Sequence, residues 1–206
     1  MNKVKVKICG VRSIAVARDA VSAGADFIGL NFVPTSKRRI DPKLAREIVM
    51  RVKRKALVVG IFRDQPPEEV NSLIAKIGLD LVQLHGVEDE SYMRQIKAPI
   101  IKSFTLLADS EPKAVSLKLN SSRAKYLLVD RSVQGEGDGV DSDSLLRLIP
   151  HLQKELFLAG GLTSENVVAK VKRFKPFAVD VAGGIETNGS EDIIKIKQFI
   201  QLKGQL

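Results

Sequence analysis

Several residue types that often carry chemistry are scarce in this chain of 206 residues, which has one cysteine, two histidines, no tryptophan and 5% aromatic residues. The lone cysteine, Cys9, excludes an internal disulfide and is typical of a reducing compartment. So few histidines and cysteines give no cluster with zinc-ligand spacing, and we predict no metal site. The shortage of aromatic rings argues against a stacking platform for single-stranded nucleic acid.

Long apolar runs are missing as well. No stretch approaches the roughly 18 apolar residues of a membrane-spanning helix, and the N-terminal segment MNKVKVKICG lacks the apolar core of a secretory signal. We therefore expect a cytoplasmic protein without membrane contact. With 44% hydrophobic residues, the chain is long enough for one packed domain, and we predict a single domain over residues 1–206.

The chain is basic, with a net charge of +9. Such a balance fits nucleic acid, an anionic small molecule or no particular partner. The basic residues are spread out, and dense points such as Lys37-Arg38-Arg39 and Lys53-Arg54-Lys55 fall mostly on predicted helices or their ends. We expect no nucleic-acid partner, and a basic field that helps to collect a phosphorylated small substrate.

Strand-like and helix-like segments alternate to the end of the chain. Eight apolar or alternating runs predict β-strands: Val4–Cys9, Asp26–Phe32, Ala56–Phe62, Leu81–Leu84, Ile100–Phe104, Tyr126–Asp130, Leu156–Ala159 and Ala178–Val181. Eight amphipathic segments predict helices: Ala15–Ser22, Pro42–Arg51, Pro67–Ile77, Glu88–Ile96, Pro112–Leu119, Ser144–Leu148, Ser164–Phe174 and Glu191–Gln201. We expect Ser13 and Thr163 to cap the helices that follow them.

This alternation predicts a parallel sheet, and the number eight predicts a single α/β domain folded as a (β/α)8 barrel, the TIM-barrel fold. A doubly wound open sheet is the alternative. No Gly-x-Gly-x-x-Gly follows the first strand, which argues against the dinucleotide-binding form of that open sheet.

In a barrel the carboxyl ends of all strands face one mouth, where the chemistry takes place. Cys9 ends the first predicted strand and Asp130 ends the sixth, three steps around the ring, so their side chains can face each other. A thiolate accepts a proton, and a carboxylic acid kept protonated by burial donates one. Plainer interpretations are that Cys9 is a small buried residue and that Asp130 caps the following loop.

Two glycine pairs follow the last two strands. Gly160-Gly161 precedes the helix predicted near Thr163, and Gly183-Gly184 follows the eighth strand. Phosphate sites of this fold commonly lie in these loops, where glycine lets backbone N–H groups approach an anion. We predict a phosphate site there, with ordinary glycine turns as the alternative.

Two further polar residues follow the second and fourth strands. Arg38 carries a guanidinium that can clamp a carboxylate by a bidentate pair, while its neighbours Lys37 and Arg39 fit a solvated surface. His85 either orients a substrate or closes the turn after the fourth strand.

The motifs at the strand ends recur in the order and at the spacing of one known family: Lys7-Ile8-Cys9-Gly10, Ser36-Lys37-Arg38, Gln83-Leu84-His85-Gly86, Leu128-Val129-Asp130, Ala159-Gly160-Gly161-Leu162 with Asn166-Val167, and Pro176-Phe177-Ala178-Val179-Asp180-Val181 with Gly184-Ile185-Glu186. From Lys5 to near the C-terminus, the chain resembles the phosphoribosylanthranilate isomerases of tryptophan biosynthesis. That family folds as one (β/α)8 barrel and needs no cofactor, so the resemblance implies the same here.

The resemblance implies an Amadori rearrangement of N-(5-phosphoribosyl)anthranilate to 1-(2-carboxyphenylamino)-1-deoxyribulose 5-phosphate. It makes Asp130 the general acid that protonates the furanose ring oxygen and Cys9 the general base that takes the proton from sugar C2. Arg38 matches the arginine that faces the anthranilate carboxylate, and His85 and Asp180 match residues that line the pocket. The implied partner is a small phosphosugar substrate, and the implied assembly is a monomer or a homodimer.

Two stretches depart from the family pattern. Ala182-Gly183 stands where a serine usually follows the Asp-Val of strand eight, so a hydroxyl contact to phosphate is lost. The acidic segment Gln134–Gly139 leads to Val140-Asp141-Ser142, where the family tends to carry Phe-Asp-Trp. This aromatic-free loop predicts weaker binding of anthranilate rather than a different reaction.

Two other barrel functions stay open at this point. The related isomerase of histidine biosynthesis performs a similar reaction, but its family uses two aspartates and has no counterpart of Cys9. A non-catalytic barrel that binds a phosphorylated ligand would present the same pocket, and an activity assay distinguishes it.

Overall fold

The computed structural model describes residues 3–106, 111–130 and 142–205. Within them, eight parallel strands close into a barrel in sequence order, with β8 paired to β1. Their bounds are β1 Lys5–Cys9, β2 Phe27–Asn31, β3 Leu57–Phe62, β4 Leu81–Leu84, β5 Ile100–Phe104, β6 Tyr126–Asp130, β7 Leu156–Ala159 and β8 Ala178–Val181. The predicted (β/α)8 barrel and its eight strands are confirmed. The acidic segment Gln134–Gly139 lies outside the described residues.

Helices follow the strands and surround the barrel. Their bounds are α1 Ile14–Ala23, α2 Pro42–Val52, α3 Pro67–Ile77, α4 Glu90–Gln95, α5 Pro112–Ser121, α6 Ser142–Leu148, α7 Val167–Phe174 and α8 Ile193–Gln201. Short 3₁₀ helices at Ile149–His151, Gly183–Ile185 and Leu202–Gln205 and a hairpin of β9 Glu186–Thr187 with β10 Ser190–Glu191 were not predicted. In the described parts of the chain, no helix has the length and apolar character needed to cross a membrane.

The apolar side chains form two layers, because successive residues of a strand point to opposite faces. On β1, Val6 and Ile8 are fully buried in the layer between the barrel and its helices. Lys5, Lys7 and Cys9 occupy the other face of the same strand, which points into the barrel. The inward face of β1 therefore carries polar groups in a position that usually holds aliphatic side chains.

Aromatic rings fill the end of the barrel where the strands begin. Phe157 lies 5.2 Å from Phe27, 5.5 Å from Tyr126 and 5.6 Å from Phe177, measured between ring centroids. Edge-to-face contacts of this kind add to the burial of large apolar surfaces. This cluster closes the amino-terminal end of the barrel, so the polar inward positions open toward the opposite end.

Helix starts agree with the sequence where proline occupies the first turn. Asp41 caps α2 by accepting from the N–H groups of Lys43 and Leu44 at 2.8 and 3.3 Å. Two expected caps are wrong. Ser13 holds the N-cap position of α1, but its side chain makes no capping hydrogen bond. At α7 the N-cap is Asn166 rather than Thr163, since residues 163–166 form a turn before the helix begins.

Besides α7, which begins at Val167 and not at Ser164, two predicted helix starts lie too early. The last helix begins at Ile193 and not at Glu191, because Glu191 pairs in the hairpin and Asp192 caps α8. The fourth begins at Glu90 and not at Glu88, because Asp89 is its N-cap and Glu88 turns into the protein. In both cases an acidic residue belongs to the loop before the helix, and the helical pattern of apolar residues does not reveal this.

Candidate active site

The carboxyl ends of the strands collect the predicted site residues. Cys9 is the last residue of β1, Asp130 is the last residue of β6, and His85 follows β4. Asp180 lies one residue before the end of β8. Arg38 lies in the loop after β2 and the glycine pairs lie after β7 and β8, so all the predicted residues occupy the same end of the barrel.

Cys9 has intermediate solvent exposure and lies beside β2. An added Cβ at Gly29 would lie only 3.1 Å from Cys9 Sγ and 3.1 Å from Lys7 Nζ, so a larger residue at position 29 would press on both groups. Burial raises the pKa of the Cys9 thiol. The positive charges of Lys7 and Arg38 oppose that rise, while the negative charge of Asp180 adds to it.

Asp180, which the resemblance predicts to line the pocket, forms an ion pair inside the barrel. Its two carboxylate oxygens accept from Lys7 Nζ at 2.9 and 3.0 Å. The side chains of Lys7 and Asp180 are 0% and 6% exposed. Burial alone would lower the pKa of the Lys7 ammonium, but the charges of Asp180 and Cys9 and the hydrogen bonds to Asp180 outweigh it and raise that pKa.

His85 and Asp130 lie next to each other at the mouth. His85 Nε2 is 3.6 Å from a carboxylate oxygen of Asp130, and His85 Nδ1 is 3.2 Å from the side-chain amide nitrogen of Gln83. Burial lowers the pKa of His85, and the nearby carboxylates of Asp130 and Asp180 only partly offset this effect. The imidazole is therefore neutral at neutral pH, and Nε2 is placed to become a hydrogen-bond partner of the Asp130 carboxyl group.

Arg38 is held by a residue to which the sequence analysis gave no role. Its Nε and Nη2 groups donate to the two carboxylate oxygens of Glu186, each at 2.7 Å. These bonds raise the pKa of Arg38 and lower the pKa of Glu186. A guanidinium has five N–H donors, so the fork can hold Glu186 and a second carboxylate together.

The loops that carry the glycine pairs lie against each other. An added Cβ at Gly184 would lie 1.9 Å from the carbonyl oxygen of Leu162, a distance that no side chain tolerates. Asn166 orders the first loop, because its amide donates to the carbonyl of Gly161 at 2.8 Å and accepts from the N–H of Thr163 at 3.0 Å. Gly161 and Gly183 are exposed, so their backbone is open to a ligand.

A buried carboxylate that the sequence analysis placed on a helix supports the loop around His85. Glu88 accepts from the N–H groups of Asp64 and Gly86, each at 2.9 Å, and from Lys102 Nζ at 3.0 Å. A carboxylate with three donors is stable at low exposure. The sequence gives little sign of this role, because acidic residues are common near helix starts, where they favour the positive end of the helix dipole.

Lys7, like Glu186 and Glu88, had no predicted role, but the sequence does carry a signal for it. Residues two apart on a strand share a face, so the face of β1 that presents Cys9 to the mouth also carries Lys7. An inward-facing lysine in a barrel needs a buried counter-charge. Asp180 on the neighbouring strand β8 provides it, and the register pairs Lys7 with Asp180.

A thiol, an imidazole and carboxylates at the carboxyl end of a closed parallel barrel are typical of the (β/α)8-barrel enzymes. Residues 6–202 match the family of N-(5'-phosphoribosyl)anthranilate (PRA) isomerase. The N-(5'-phosphoribosyl)anthranilate isomerase of Oceanobacillus iheyensis is 43% identical over 200 residues, which cover 95% of this chain and 94% of that protein. This chain belongs to the phosphoribosylanthranilate isomerase family and is an isomerase.

Solved structures of the same family share the fold over nearly the whole chain. The phosphoribosyl anthranilate isomerase of Thermotoga maritima superposes with a TM-score of 0.87 at 32% identity, covering 98% of this chain and 100% of that one. A phosphoribosyl anthranilate isomerase in complex with reduced 1-(o-carboxyphenylamino)-1-deoxyribulose 5-phosphate superposes with a TM-score of 0.84 at 33% identity, covering 98% of this chain and 100% of that one.

Proposed function

We propose that this isomerase converts N-(5-phosphoribosyl)anthranilate to 1-(2-carboxyphenylamino)-1-deoxyribulose 5-phosphate, with Cys9 as general base and Asp130 as general acid. The observation that carries the proposal is the placement of a thiol and a carboxylate at the ends of β1 and β6, on one mouth. Two groups on opposite sides of a small sugar suit a reaction that moves protons at two of its atoms. The ligand bound in the related structure is the reduced form of this product.

The reaction proceeds through an open-chain intermediate. Asp130 donates a proton to the furanose ring oxygen, the C1–O bond breaks, and the nitrogen lone pair forms a C1=N bond. The thiolate of Cys9 then takes the proton from C2, and the C2–H electron pair forms the C1=C2 bond of an enolamine. The enolamine gains a proton at C1 and loses one from the C2 hydroxyl, which gives the ketone. Protonated Cys9 and ionised Asp130 return to their starting states by exchange with solvent.

His85 supports the acid in this scheme. Its neutral imidazole lies 3.6 Å from Asp130, close enough to orient the carboxyl group toward the sugar with a small adjustment. Gln83 holds the other ring nitrogen at 3.2 Å and so limits rotation of the imidazole. His85 therefore lines the pocket without acting as the proton donor itself.

Two anchors hold the substrate by its charged ends. Arg38, already oriented by Glu186, binds the anthranilate carboxylate with its remaining N–H donors. The two glycine pairs, Gly160-Gly161 and Gly183-Gly184, bind the phosphate with their backbone, which is exposed at Gly161 and Gly183. Because alanine replaces the usual serine at position 182, backbone N–H groups carry more of the phosphate contact.

The test follows the decay of anthranilate fluorescence with freshly prepared N-(5-phosphoribosyl)anthranilate. We expect turnover by the unmodified chain, and at least about a 100-fold lower kcat for Cys9→Ser and for Asp130→Asn, the usual size of an acid–base contribution. Thermal unfolding of each variant checks that the fold is kept. Absence of turnover in the folded, unmodified chain would reject the reaction, and near-normal turnover by Cys9→Ser would reject only the base.

The expected assembly and location stay predictions. One solved structure, 31% identical with a TM-score of 0.83, contains monomers generated from the dimeric phosphoribosylanthranilate isomerase of Thermotoga maritima. Light scattering on the purified chain distinguishes a monomer from a homodimer. The cytoplasm remains the expected compartment for a biosynthetic enzyme of this family.

A further inference from the structure

A fully buried lysine lies directly beneath the thiol at the mouth. Lys7 is among the largest side chains with no solvent exposure, and it lies two residues before Cys9 on the inward face of β1. An unpaired ammonium in such a place would be very costly. Asp180 neutralises it through two hydrogen bonds of 2.9 and 3.0 Å.

The same ammonium acts on Cys9, because its positive charge opposes the rise that burial causes in the pKa of the thiol. Both groups border the same space, since a Cβ added at Gly29 would lie 3.1 Å from Lys7 Nζ and 3.1 Å from Cys9 Sγ. A nearby positive charge favours the thiolate over the thiol. Lys7 thus links a fixed carboxylate on β8 to the thiol on β1.

Stability alone does not account for this pair. Replacing a buried ion pair by apolar residues of similar volume is often neutral or stabilising. The neighbouring interior of the barrel is already apolar, since Lys7 pairs in register with Phe27 on β2. The buried ion pair of Lys7 and Asp180 therefore indicates a functional role for its charges rather than a contribution to stability.

We propose that Lys7 is a positioning residue for the reaction: its ammonium, fixed by Asp180, favours the thiolate form of Cys9 and points it into the barrel mouth. The inference rests on the proposed role of Cys9 as the base. Lys7 acts through Cys9 and touches no reacting atom of the sugar.

The charges around Cys9 define the direction of each effect. Burial raises the pKa of the thiol, Lys7 and Arg38 oppose the rise, and Asp180 adds to it. Asp130 and His85 face Asp180 from β6 and from the loop after β4. Loss of Lys7 therefore leaves the effects of burial and of Asp180 less opposed, whereas loss of the Asp180 charge removes a negative charge that disfavours the thiolate.

This sign difference gives the test. Lys7→Met and Asp180→Asn both break the same ion pair, so a purely structural role predicts similar consequences for Cys9. An electrostatic role predicts that Lys7→Met raises the thiol pKa and that Asp180→Asn lowers it. The chain has one cysteine, so the pH dependence of iodoacetamide alkylation, read by intact-mass spectrometry, reports on Cys9 alone.

We expect Lys7→Met to raise the alkylation midpoint by at least about 1 pH unit, the usual effect of losing a neighbouring opposite charge. Its kcat should fall about tenfold at neutral pH, with KM changed less than about twofold, and should recover as the pH is raised. Lys154→Met is the matched control. Lys154 donates to the backbone carbonyls of Ser122 and Ala124 at the opposite end of the barrel, so its loss should not move the midpoint.

A double variant, Lys7→Met with Asp180→Leu, keeps the proposal testable if a single variant is unstable, because an apolar pair avoids an orphaned charge. It should fold and still show a raised alkylation midpoint compared with Asp180→Asn. An unchanged midpoint in Lys7→Met, or shifts of the same sign in Lys7→Met and Asp180→Asn, would overturn the proposal. Full activity of Cys9→Ser would instead overturn the proposed base, whatever the alkylation shows.

Discussion

Glu186 holds Arg38 in one orientation, because Nε and Nη2 of the arginine each donate to one carboxylate oxygen of Glu186 at 2.7 Å. The pair joins the loop after β2 to the hairpin after β8. A bidentate pair fixes the plane of a guanidinium, so the donors that point away from Glu186 are oriented before a substrate arrives. Less conformational freedom is then lost on binding.

Arg38→Ala should weaken binding of the anthranilate carboxylate without removing the acid or the base. A charge-assisted hydrogen bond contributes about 1.5–3 kcal/mol, so KM should rise about 10- to 100-fold while kcat changes less than about threefold. Steady-state kinetics with the fluorescent substrate measure both constants. A loss confined to kcat would show that Arg38 acts in the chemical steps rather than in binding.

Glu186→Gln is the companion variant, because it keeps the shape of the side chain and removes its charge. Arg38 then retains hydrogen bonds but loses part of its fixed orientation, and we expect KM to rise less than in Arg38→Ala. An unchanged KM in Glu186→Gln would show that the carboxylate merely neutralises Arg38 and does not orient it.

The fold could be predicted from the sequence because the barrel strands have strong local signals. Short apolar runs between helical segments gave β4 to β8 with their observed bounds. Proline in the first turn marked the starts of α2, α3 and α5. Both signals are local, because periodicity and the restricted backbone of proline act on residues that are close together in the chain.

Parts of the site could not be predicted, because they depend on charges that meet only in the fold. Lys7 and Asp180 lie 173 residues apart, and lysine on an alternating strand usually faces solvent. Arg38 and Glu186 lie 148 residues apart, and the hairpin that carries Glu186 has strands of two residues each. Such short strands leave no periodic signal, so the early start predicted for α8 follows from the same cause.

The pH dependence of the reaction should follow the thiol of Cys9 once the general acid is removed. In Asp130→Asn no carboxylic acid has to stay protonated, whereas the thiol, whose pKa burial raises, must still be deprotonated to act as a base. The residual kcat/KM of this variant should therefore rise with pH through the neutral range by about tenfold per unit. The rise does not belong to His85, whose pKa burial lowers, so the double variant Asp130→Asn with His85→Asn should show the same rise. A profile of Asp130→Asn that falls above neutral pH would contradict a thiolate base.

Gly184→Ala should damage phosphate binding. Its Cβ would lie 1.9 Å from the carbonyl oxygen of Leu162, so the loops after β7 and β8 must separate. We expect KM to rise by about tenfold or more and inhibition by inorganic phosphate to weaken, as for loss of charge-assisted hydrogen bonds. Gly204→Ala is the control, since nothing lies within 4 Å of its added Cβ. Equal phosphate inhibition in Gly184→Ala and the unmodified chain would place the phosphate elsewhere.

Phe157→Ala should separate stability from catalysis. The ring is fully buried, and its neighbours Phe27, Tyr126 and Phe177 surround it at the amino-terminal end of the barrel. Truncation of a buried phenylalanine lowers the free energy of unfolding by about 3–5 kcal/mol, because it removes apolar contact and leaves a cavity. Urea unfolding measures the loss, and Leu117→Ala, which truncates an exposed side chain, should change stability by less than about 0.5 kcal/mol.

Where Phe157→Ala is folded, kcat/KM should stay within about twofold of normal, since the mouth lies at the other end of the strands. A large loss of kcat/KM in the folded variant would show that the aromatic cluster positions the mouth residues as well as stabilising the barrel.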